Sequence, residues 1–331
     1  MKISSVVKLL LKVLVFGVGI GLFLYWIDRL GVSALEQTLN EMKAIWWQLL
    51  LVSIGWNLFY TIAWRNYFIN LNITIPFWAL LKIKLCGEAM NLLTPLNFVV
   101  GDPVRFAMIR QKMNGKHPGG SILVDRMLNS LATVFYVWVG IILAFFSSFE
   151  IPRKILWPVF GLYTVINGGI IFLMVLIFKH EALAFILKIK RWLPGEKLKN
   201  GLTTAVDEMT LEFDFLKSRF WRFIIPSFLC HFAGRVLGAI EISVILYHLE
   251  LESALMYGLV LASLTAACNL LFAFLPGGLG VVETFYSLFF KWQGMSDLFG
   301  VPVQLVRRIR SFFWIVVGVL LLIIPSRKRA T

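Results

Sequence analysis

The sequence predicts an all-α protein that crosses a lipid bilayer several times. Two observations predict this class: long apolar segments follow one another along the whole chain, and charged residues are scarce. Hydrophobic residues make up 59% of the 331 positions and charged residues only 15%, whereas soluble domains are about 45–50% apolar and about 25% charged. A soluble chain of this length could not bury so much apolar surface, so we expect the bilayer to solvate it.

Six apolar segments have the length of about 17–25 residues that a helical bilayer crossing requires. Trp and Tyr stand at several of their ends, as at Trp46, Trp47 and Tyr247, which is typical of the membrane–water interface. The predicted spans are residues 6–27, 46–64, 127–147, 156–178, 223–247 and 307–324.

Two further apolar stretches are interrupted by helix-breaking residues. One covers 76–113 and is broken at Pro95 and Pro103, and the other covers 253–292 and is broken at Pro276. Such breaks are tolerated in a membrane only where protein or a water-filled cavity satisfies the freed backbone groups. We interpret both stretches as re-entrant helix pairs, and eight full spanning helices are the alternative.

The two broken stretches resemble each other in sequence. Asn91 stands in an Ala-Met-Asn-Leu-Leu run, and Asn269, 178 residues later, stands in an Ala-Cys-Asn-Leu-Leu run. A proline- and glycine-containing break follows each run, and an acidic residue comes next, Asp102 in one case and Glu283 in the other. The pattern indicates an internal repeat.

We therefore predict one transmembrane domain over 1–331 with two units of opposite orientation, 46–147 and 223–324, joined through a cytoplasmic amphipathic loop at 179–222. Inverted repeats are the architecture of many transporters with a site near the bilayer midplane. With both termini in the cytoplasm, the cytoplasmic segments hold 22 Lys and Arg and the outer segments 8. This asymmetry follows the positive-inside rule and predicts a bacterial cytoplasmic (inner) membrane protein. The four basic residues of the outer segment 291–310 fit this orientation least well.

The first candidate site begins at Asp102, which precedes Pro103 at the start of an apolar run. Asp followed by Pro predicts a helix start, with Asp as the N-cap and Pro as the first helical residue. Arg105 would lie in the first turn, where a helix N-terminus and a guanidinium together favour a phosphate. The alternative is a local Asp102–Arg105 ion pair that only caps the helix.

Other polar residues on the same side are interpreted in two ways. Glu88 either pairs with Lys84 on its own helix or faces the helix break. Asp125 and Arg126 either form an interfacial pair or place Arg126 in the lining of a cavity. Asn91 is a candidate for substrate binding.

Arg235 lies deep within an apolar segment. An unpaired arginine there costs roughly 2.5–3.5 kcal/mol on insertion scales. Glu241 is six residues away and is poorly placed to pair with it on the same helix, so we expect a carboxylate from elsewhere, Asp102 or Glu283. His231 shares its face and is interpreted as a packing hydrogen bond between helices.

The most distinctive segment is 275–283, which contains Pro276, Gly277, Gly278 and Gly280 before Glu283. Glycines allow close approach of backbone and ligand and expose N–H groups. The segment, together with Asn269, is therefore a candidate binding site, and an ordinary tight turn is the alternative.

Several functional classes are not expected. The net charge of +14 comes from basic residues between apolar segments, where anionic lipid headgroups and not nucleic acid are the expected partners. Cys86, Cys230 and Cys268 show no metal or disulfide spacing. No known catalytic motif is present, so we expect neither an enzyme nor a cofactor nor a metal.

The motifs together resemble the transmembrane region of lysylphosphatidylglycerol synthases and their stand-alone flippase-like relatives. The resemblance covers nearly the whole chain and depends most on the Pro-Gly-Gly-Leu-Gly run before Glu283. The chain departs from the family in having Val100-Gly101-Asp102 for Gly-Gly-Glu, and Asp125-Arg126 with Asn129 for Glu-Arg with Asp. The resemblance implies translocation of a phospholipid or polyprenyl-phosphate-type lipid. It does not imply aminoacyl transfer, because the chain ends seven residues after Ile324.

The sequence thus predicts a lipid flippase or scramblase in which Arg105, Arg126 and Arg235 contact phosphate while Asp102 and Glu283 pair with them. The main alternative is an accessory subunit of a lipid- or glycan-modifying enzyme. A transferase using Glu88 or Glu283 as base and a small-anion transporter are further alternatives.

Overall fold

The computed structural model describes residues 31–93, 100–113, 118–179, 196–272 and 278–324, with single residues within 21–29 and 181–188. Helices and their connecting turns account for this part of the chain. The α-helices are α1 (Val32–Glu41), α2 (Trp46–Asn70), α3 (Phe77–Leu93), α4 (Gly101–Arg110), α5 (Gly119–Phe146), α6 (Arg153–Phe178), α7 (Glu196–Ser218), α8 (Phe220–His248), α9 (Ala254–Leu271), α10 (Val281–Trp292) and α11 (Gly300–Ile323).

Five of the described helices are long and apolar enough to cross a membrane: α2 with the turn before it, α5, α6, α8 and α9. The first four match the predicted spans 46–64, 127–147, 156–178 and 223–247, with α5 ending one residue before 147, which confirms the all-α polytopic class. Helix α9 was predicted as one limb of a re-entrant pair. Helix α11 contains the predicted span 307–324, and the predicted span 6–27 lies almost wholly outside the described residues.

Both predicted breaks coincide with interruptions between helices. Helix α3 ends at Leu93 and α4 begins at Gly101, while α9 ends at Leu271 and α10 begins at Val281. Pro95, Pro276 and Gly277 lie outside the described residues. The predicted N-cap at Asp102 is wrong, because Val100 caps α4 and Pro103 is its third residue. Proline is tolerated there since the first turn of a helix needs no backbone N–H partner.

Helices of one predicted unit pack against helices of the other: α3 packs against α11, and α5 packs against α9. Each contact is close because a glycine lies in it. Gly318 faces Leu85 and Ala89, and Gly140 faces Ser263. Gly140 and Gly318 differ by the same 178 positions that separate Leu85 from Ser263 and Asn91 from Asn269. The internal repeat remains a prediction, and this equivalence supports it.

The predicted amphipathic segment 179–222 contains helix α7. Its apolar side packs into the protein, where Phe213 and Leu216 are fully buried, while Leu211 is exposed. Glu212 of α7 also accepts a hydrogen bond from the Tyr67 hydroxyl of α2. Helix α7 is therefore anchored to the transmembrane helices and does not only lie on the membrane surface.

The apolar interior is divided into two separate clusters of buried side chains. Along α8, Phe223 belongs to one cluster and Ala239 to the other. The polar residues His231 and Arg235 lie between them in the sequence of this helix. On α2 and α5 the polar residues Tyr60 and Asn129 likewise lie between residues of the two clusters, so a layer of polar side chains lies where the two apolar cores meet.

Candidate functional site

The polar layer is assembled from five helices, each contributing polar side chains at the level where the two apolar cores are separated. Charged groups at membrane depth are costly unless they are paired, and they usually mark a functional site. The members of the layer are Tyr60 on α2, Lys84 on α3, Arg105 on α4, Asp125 and Asn129 on α5, and His231 and Arg235 on α8.

Asp125 is the centre of the first group of charges. Its carboxylate lies 3.1 Å from Lys84 Nζ, 2.6 Å from Arg105 Nη2 and 3.3 Å from His231 Nε2. Arg105 also lies over the ring of Trp64, with 4.3 Å between the guanidinium carbon and the ring centre. We call Lys84, Arg105, Asp125 and His231 the Asp125 cluster. Its four members come from four different helices, so the cluster holds the bundle together.

Asp102 and Arg126 form a second, less buried ion pair beside this cluster. Arg126 Nε lies 3.0 and 2.9 Å from the two carboxylate oxygens, and Arg126 Nη2 lies 2.8 Å from Oδ1. Arg105 Nη1 also approaches Asp102, at 3.3 Å. Asp102 thus pairs with both arginines, as predicted. The pair lies in the wall of a shallow, widely open cavity of about 510 Å³ whose other lining residues are Pro103, Phe106, Gly119, Ile122 and Leu123.

Arg235 has a different partner from the one predicted. Its Nη2 donates to the amide oxygen of Asn129 at 3.0 Å, and its guanidinium lies 5.7 Å from the centre of the Tyr60 ring. Its Nε is buried and makes no hydrogen bond within the described residues. The predicted pairing with Asp102 or Glu283 is wrong, because other arginines occupy both carboxylates.

A second buried carboxylate, Glu241, has no exposed surface and is held by two arginines of α11. Arg310 Nε lies 2.6 Å from Oε1, and Arg307 Nε lies 3.3 Å from Oε2. Arg307 Nη1 reaches the Tyr286 hydroxyl at 3.3 Å, and Arg310 lies over Trp56. We call Glu241, Tyr286, Arg307 and Arg310 the Glu241 cluster.

The Glu241 cluster corrects the assignment of 291–310 to an outer loop. Arg307, Arg308 and Arg310 lie inside helix α11, and each pairs with a buried carboxylate. They therefore do not belong to the loop charges that the positive-inside rule counts. Three of the four basic residues that fitted the orientation least well are explained in this way.

Glu283 stabilises the start of α10. One of its oxygens accepts from the backbone N–H of Gly280 at 2.9 Å, and the other pairs with Arg308. Gly278 and Gly280 have φ values of +63° and +77°, and residues other than glycine rarely adopt such backbone angles. The glycines at these two positions are therefore required by the turn itself.

Asn91 and Asn269 lie next to the helix starts that follow the two breaks. The Asn91 side-chain oxygen accepts from the backbone N–H of Gly101 at 2.9 Å. A Cβ atom at Gly101 would collide with Asn91, and one at Gly278 would collide with Asn269. In this structure Asn91 is buried and links the end of α3 to the start of α4, and its role in substrate binding stays a prediction.

Glu88 is exposed on α3 and is close enough to Arg126 and Lys84 to interact with them electrostatically. The alternative of a Lys84–Glu88 ion pair is wrong, because Lys84 turns toward Asp125 and toward the backbone carbonyl of Tyr60. Glu88 thus lies at the edge of the polar layer, near the Asp102–Arg126 pair.

Several residues of the polar layer and of the two clusters were not among the predicted site residues: Lys84, Asn129, His231, Tyr286, Arg307 and Arg310. The signal for the arginines is their spacing within an apolar run. Three arginines in four positions, followed by apolar sequence without an acidic residue, require carboxylates from other helices. Among the described residues, no three His, Cys, Asp or Glu side chains are grouped as metal ligands.

Apolar helices with paired charges buried between them define a polytopic integral membrane protein with a polar interior. The family model of the lysylphosphatidylglycerol synthase transmembrane region matches residues 9–319, so the chain belongs to that family. The chain is also similar to a UPF0104 membrane protein of Pyrococcus horikoshii, with 23% identity over 323 residues that cover 91% of this chain and 92% of the relative. No solved structure matches the chain.

Proposed function

We propose that this protein moves a phosphate-containing lipid between the two leaflets of the membrane, as a flippase or scramblase. The observation that carries the proposal is the cavity of about 510 Å³, whose apolar walls end on the Asp102–Arg126 ion pair. Apolar walls suit acyl chains, and an arginine fork suits a phosphate. The membrane role itself is common to the family, and lipid movement is the part that we propose.

The path beyond the cavity is supported by the position of the Asp125 cluster. Arg105 contacts Asp102 and Asp125 at the same time, so it connects the cavity wall to the buried cluster. A headgroup phosphate that displaces Asp102 from Arg126 meets Arg105 next and then Arg235. Each exchange replaces one charge-assisted hydrogen bond by another, which keeps the cost of a charge at membrane depth low.

The charged side chains of the polar layer and of the cavity wall together favour an anionic headgroup. The cations exceed the carboxylates by one when histidine is neutral, and a monoanion such as a phosphodiester would balance the excess. Zwitterionic headgroups leave the excess in place. The groups counted are Lys84, Arg105, Arg126 and Arg235 against Glu88, Asp102 and Asp125. We therefore propose anionic lipids as the partners, released chemically unchanged.

The experiment is a translocation assay in proteoliposomes with tail-labelled fluorescent phosphatidylglycerol and a membrane-impermeant quencher. We expect the wild-type protein to expose inner-leaflet lipid to the quencher. Arg126→Gln should slow this by about tenfold, equivalent to about 1.4 kcal/mol. Arg110→Gln is the matched control, because Arg110 is an exposed arginine at the end of α4, and it should behave as wild type.

The same vesicles separate the alternatives. A new lipid species detected by mass spectrometry would replace our proposal with a lipid transferase. If wild-type protein moves none of a panel of anionic and zwitterionic lipids and leaves all of them unchanged, the accessory-subunit alternative takes its place.

A further inference from the structure

A second set of buried donors lies around the Glu241 cluster, away from the cavity. We propose that the Glu241 cluster and Gln304 form a second binding station for a lipid phosphodiester headgroup. The lipid nature of the ligand rests on the proposed function, whereas the position and charge of the station do not. Three features support the station: the charge of the cluster, the buried amide donor of Gln304 and the place of the cluster along α8.

The charge of this region mirrors that of the first. Glu241 is shared by two arginines, Arg307 and Arg310, so the group carries one excess positive charge. The neighbouring Glu283–Arg308 pair is balanced. A buried excess charge is costly, and an anion that binds beside it would remove the cost. Each of the two charged regions thus has an excess positive charge that suits one monoanion.

The two arginines are not equivalent. Arg310 Nε lies 2.6 Å from the carboxylate, which is typical of a strong charge-assisted hydrogen bond. Arg307 makes two longer contacts, each of 3.3 Å, with Glu241 and the Tyr286 hydroxyl. Its side chain is also more exposed, at 20% against 11% for Arg310. Arg310 therefore neutralises Glu241, and Arg307 is the cation available to an anion.

Gln304 supplies the second observation. Its side chain is only 4% exposed, and its amide nitrogen is buried, makes no hydrogen bond of good geometry with the described residues and approaches the Tyr286 hydroxyl. It lies one helical turn before Arg307 on the same face of α11, and both side chains contact Tyr286. Buried amide donors are nearly always paired in folded proteins. A phosphate oxygen, which only accepts, would satisfy this donor and Arg307 together.

The proposed second site lies within reach of the polar layer along helix α8. Glu241 follows Arg235 by six residues on α8, which is about 9 Å along the helix axis at 1.5 Å per residue. Arg235 itself has a buried, unpartnered Nε. Arg235 thus lies between His231 and Glu241 along the axis of α8, and both Arg235 and Arg307 are close enough to Tyr136 to interact with it electrostatically, so we infer that a phosphate passes from Arg126 to Arg307 by way of Arg235.

The test measures how many headgroups the purified protein binds. Dihexanoyl-phosphatidylglycerol, which is short-chained and soluble, is titrated into the detergent-solubilised full chain by calorimetry. We expect two sites in the wild type and one in Arg307→Gln. This substitution removes the excess charge while Arg310 still pairs with Glu241, so no carboxylate is left alone. Gln304→Leu should weaken the same site about tenfold, or by about 1.4 kcal/mol.

The matched control for Gln304→Leu is Gln111→Leu, since Gln111 is exposed at the end of α4, and it should retain two sites. Arg126→Gln should also retain one site, the one that Arg307→Gln loses, so the double variant should bind none. Two sites of wild-type affinity in both Arg307→Gln and Gln304→Leu would overturn the second station. Saturation by inorganic phosphate without binding of the lipid would also overturn it, because the ligand would then be a free anion.

The outcome is separable from that of the proposed function. If the wild type binds two headgroups and Arg307→Gln binds one, the station is supported even when vesicles show no lipid movement, and only the proposed function fails. If the wild type moves lipid but binds a single headgroup, the second station fails and translocation stands.

Discussion

The Asp125 cluster and the Glu241 cluster both pair a buried carboxylate with cations, but the cations come from different numbers of helices. Each has one buried carboxylate on a long helix and two cations paired with it. The cations of Asp125 come from α3 and α4, and His231 of α8 completes the group. The cations of Glu241 both come from α11. The first cluster therefore joins four helices, whereas the second joins only α8 to α11, with Tyr286 of α10 at its edge.

The burial of the cations differs in the same direction. Arg105 is 3% exposed and Arg307 is 20% exposed, while Lys84 and Arg310 are alike at 12% and 11%, so the difference lies in Arg105 and Arg307. A cation with access to water keeps part of its hydration when its partner is removed, whereas a fully buried one does not. We infer that the Asp125 cluster contributes mainly to stability and to a fixed geometry, and that the Glu241 cluster can release Arg307 to a ligand.

The largest expected effect is on stability in the first cluster. Asp125→Ala leaves Lys84 and Arg105 buried without their shared carboxylate and should lower the free energy of unfolding by about 3–5 kcal/mol. Glu241→Ala should cost less, since one of its two arginines, Arg307, keeps access to water. Reversible unfolding in mixed micelles measures both. Equal losses in the two variants would contradict the distinction between the clusters.

The second effect concerns the attachment of helix α7 to helix α2. Tyr67→Phe removes the hydrogen bond to Glu212 and should cost about 1.5–3 kcal/mol, because the acceptor is charged. Hydrogen exchange along α7 should rise with it. Tyr247→Phe is the control, since Tyr247 is 79% exposed. Unchanged exchange in α7 would show that its apolar contacts alone anchor the helix.

The third effect tests whether the two halves pack alike. Gly140→Ala and Gly318→Ala place a methyl group against Ser263 and against Leu85 and Ala89, and each should cost about 1–3 kcal/mol. Gly161→Ala is the control on α6, where nothing lies within 4 Å, and it should stabilise by up to about 1 kcal/mol. A loss at only one of the two packed glycines would argue against the internal repeat.

The smallest effect on stability is expected at the wall of the cavity. Asp102 and Arg126 are about a quarter exposed, and such pairs contribute about 0–1 kcal/mol. Asp102→Asn should therefore leave thermal stability nearly unchanged while it changes the rate of lipid movement. A large loss of stability together with an unchanged rate would mean that the pair is structural.

The spans were predictable because length and hydropathy alone determine which segments the bilayer can solvate. Helices α2, α5, α6 and α8 were predicted for that reason. The helix start at α4 was misplaced by two residues. Asp is the preferred N-cap residue, but contacts with the surrounding helices override this local preference, and Val100 takes the N-cap position. The glycine-rich break before α10 was predicted as a binding segment, with a tight turn as the alternative; the positive φ of Gly278 and Gly280 fits a turn, and binding there stays a prediction.

The partners of the buried charges were much less predictable. Sequence shows that the buried guanidinium of Arg235 needs a partner but not which helix supplies it. The partner in the structure is a neutral amide, Asn129 of α5. The arginines of α11 were assigned to a loop because they interrupt the hydropathy of their helix. Their carboxylate partners are 66, 25 and 69 residues away, and only the packing of the helices brings them together.

The most direct test of lipid movement through the polar layer is Arg235→Gln in the fluorescent phosphatidylglycerol assay, with unfolding measured on the same preparation. Arg235 pairs with the neutral Asn129, so its replacement leaves no charge unpaired and should not lower stability. We expect a folded protein whose translocation rate falls at least about tenfold, equivalent to about 1.4 kcal/mol. A folded variant that moves lipid at the wild-type rate would contradict the assignment of the polar layer as the path.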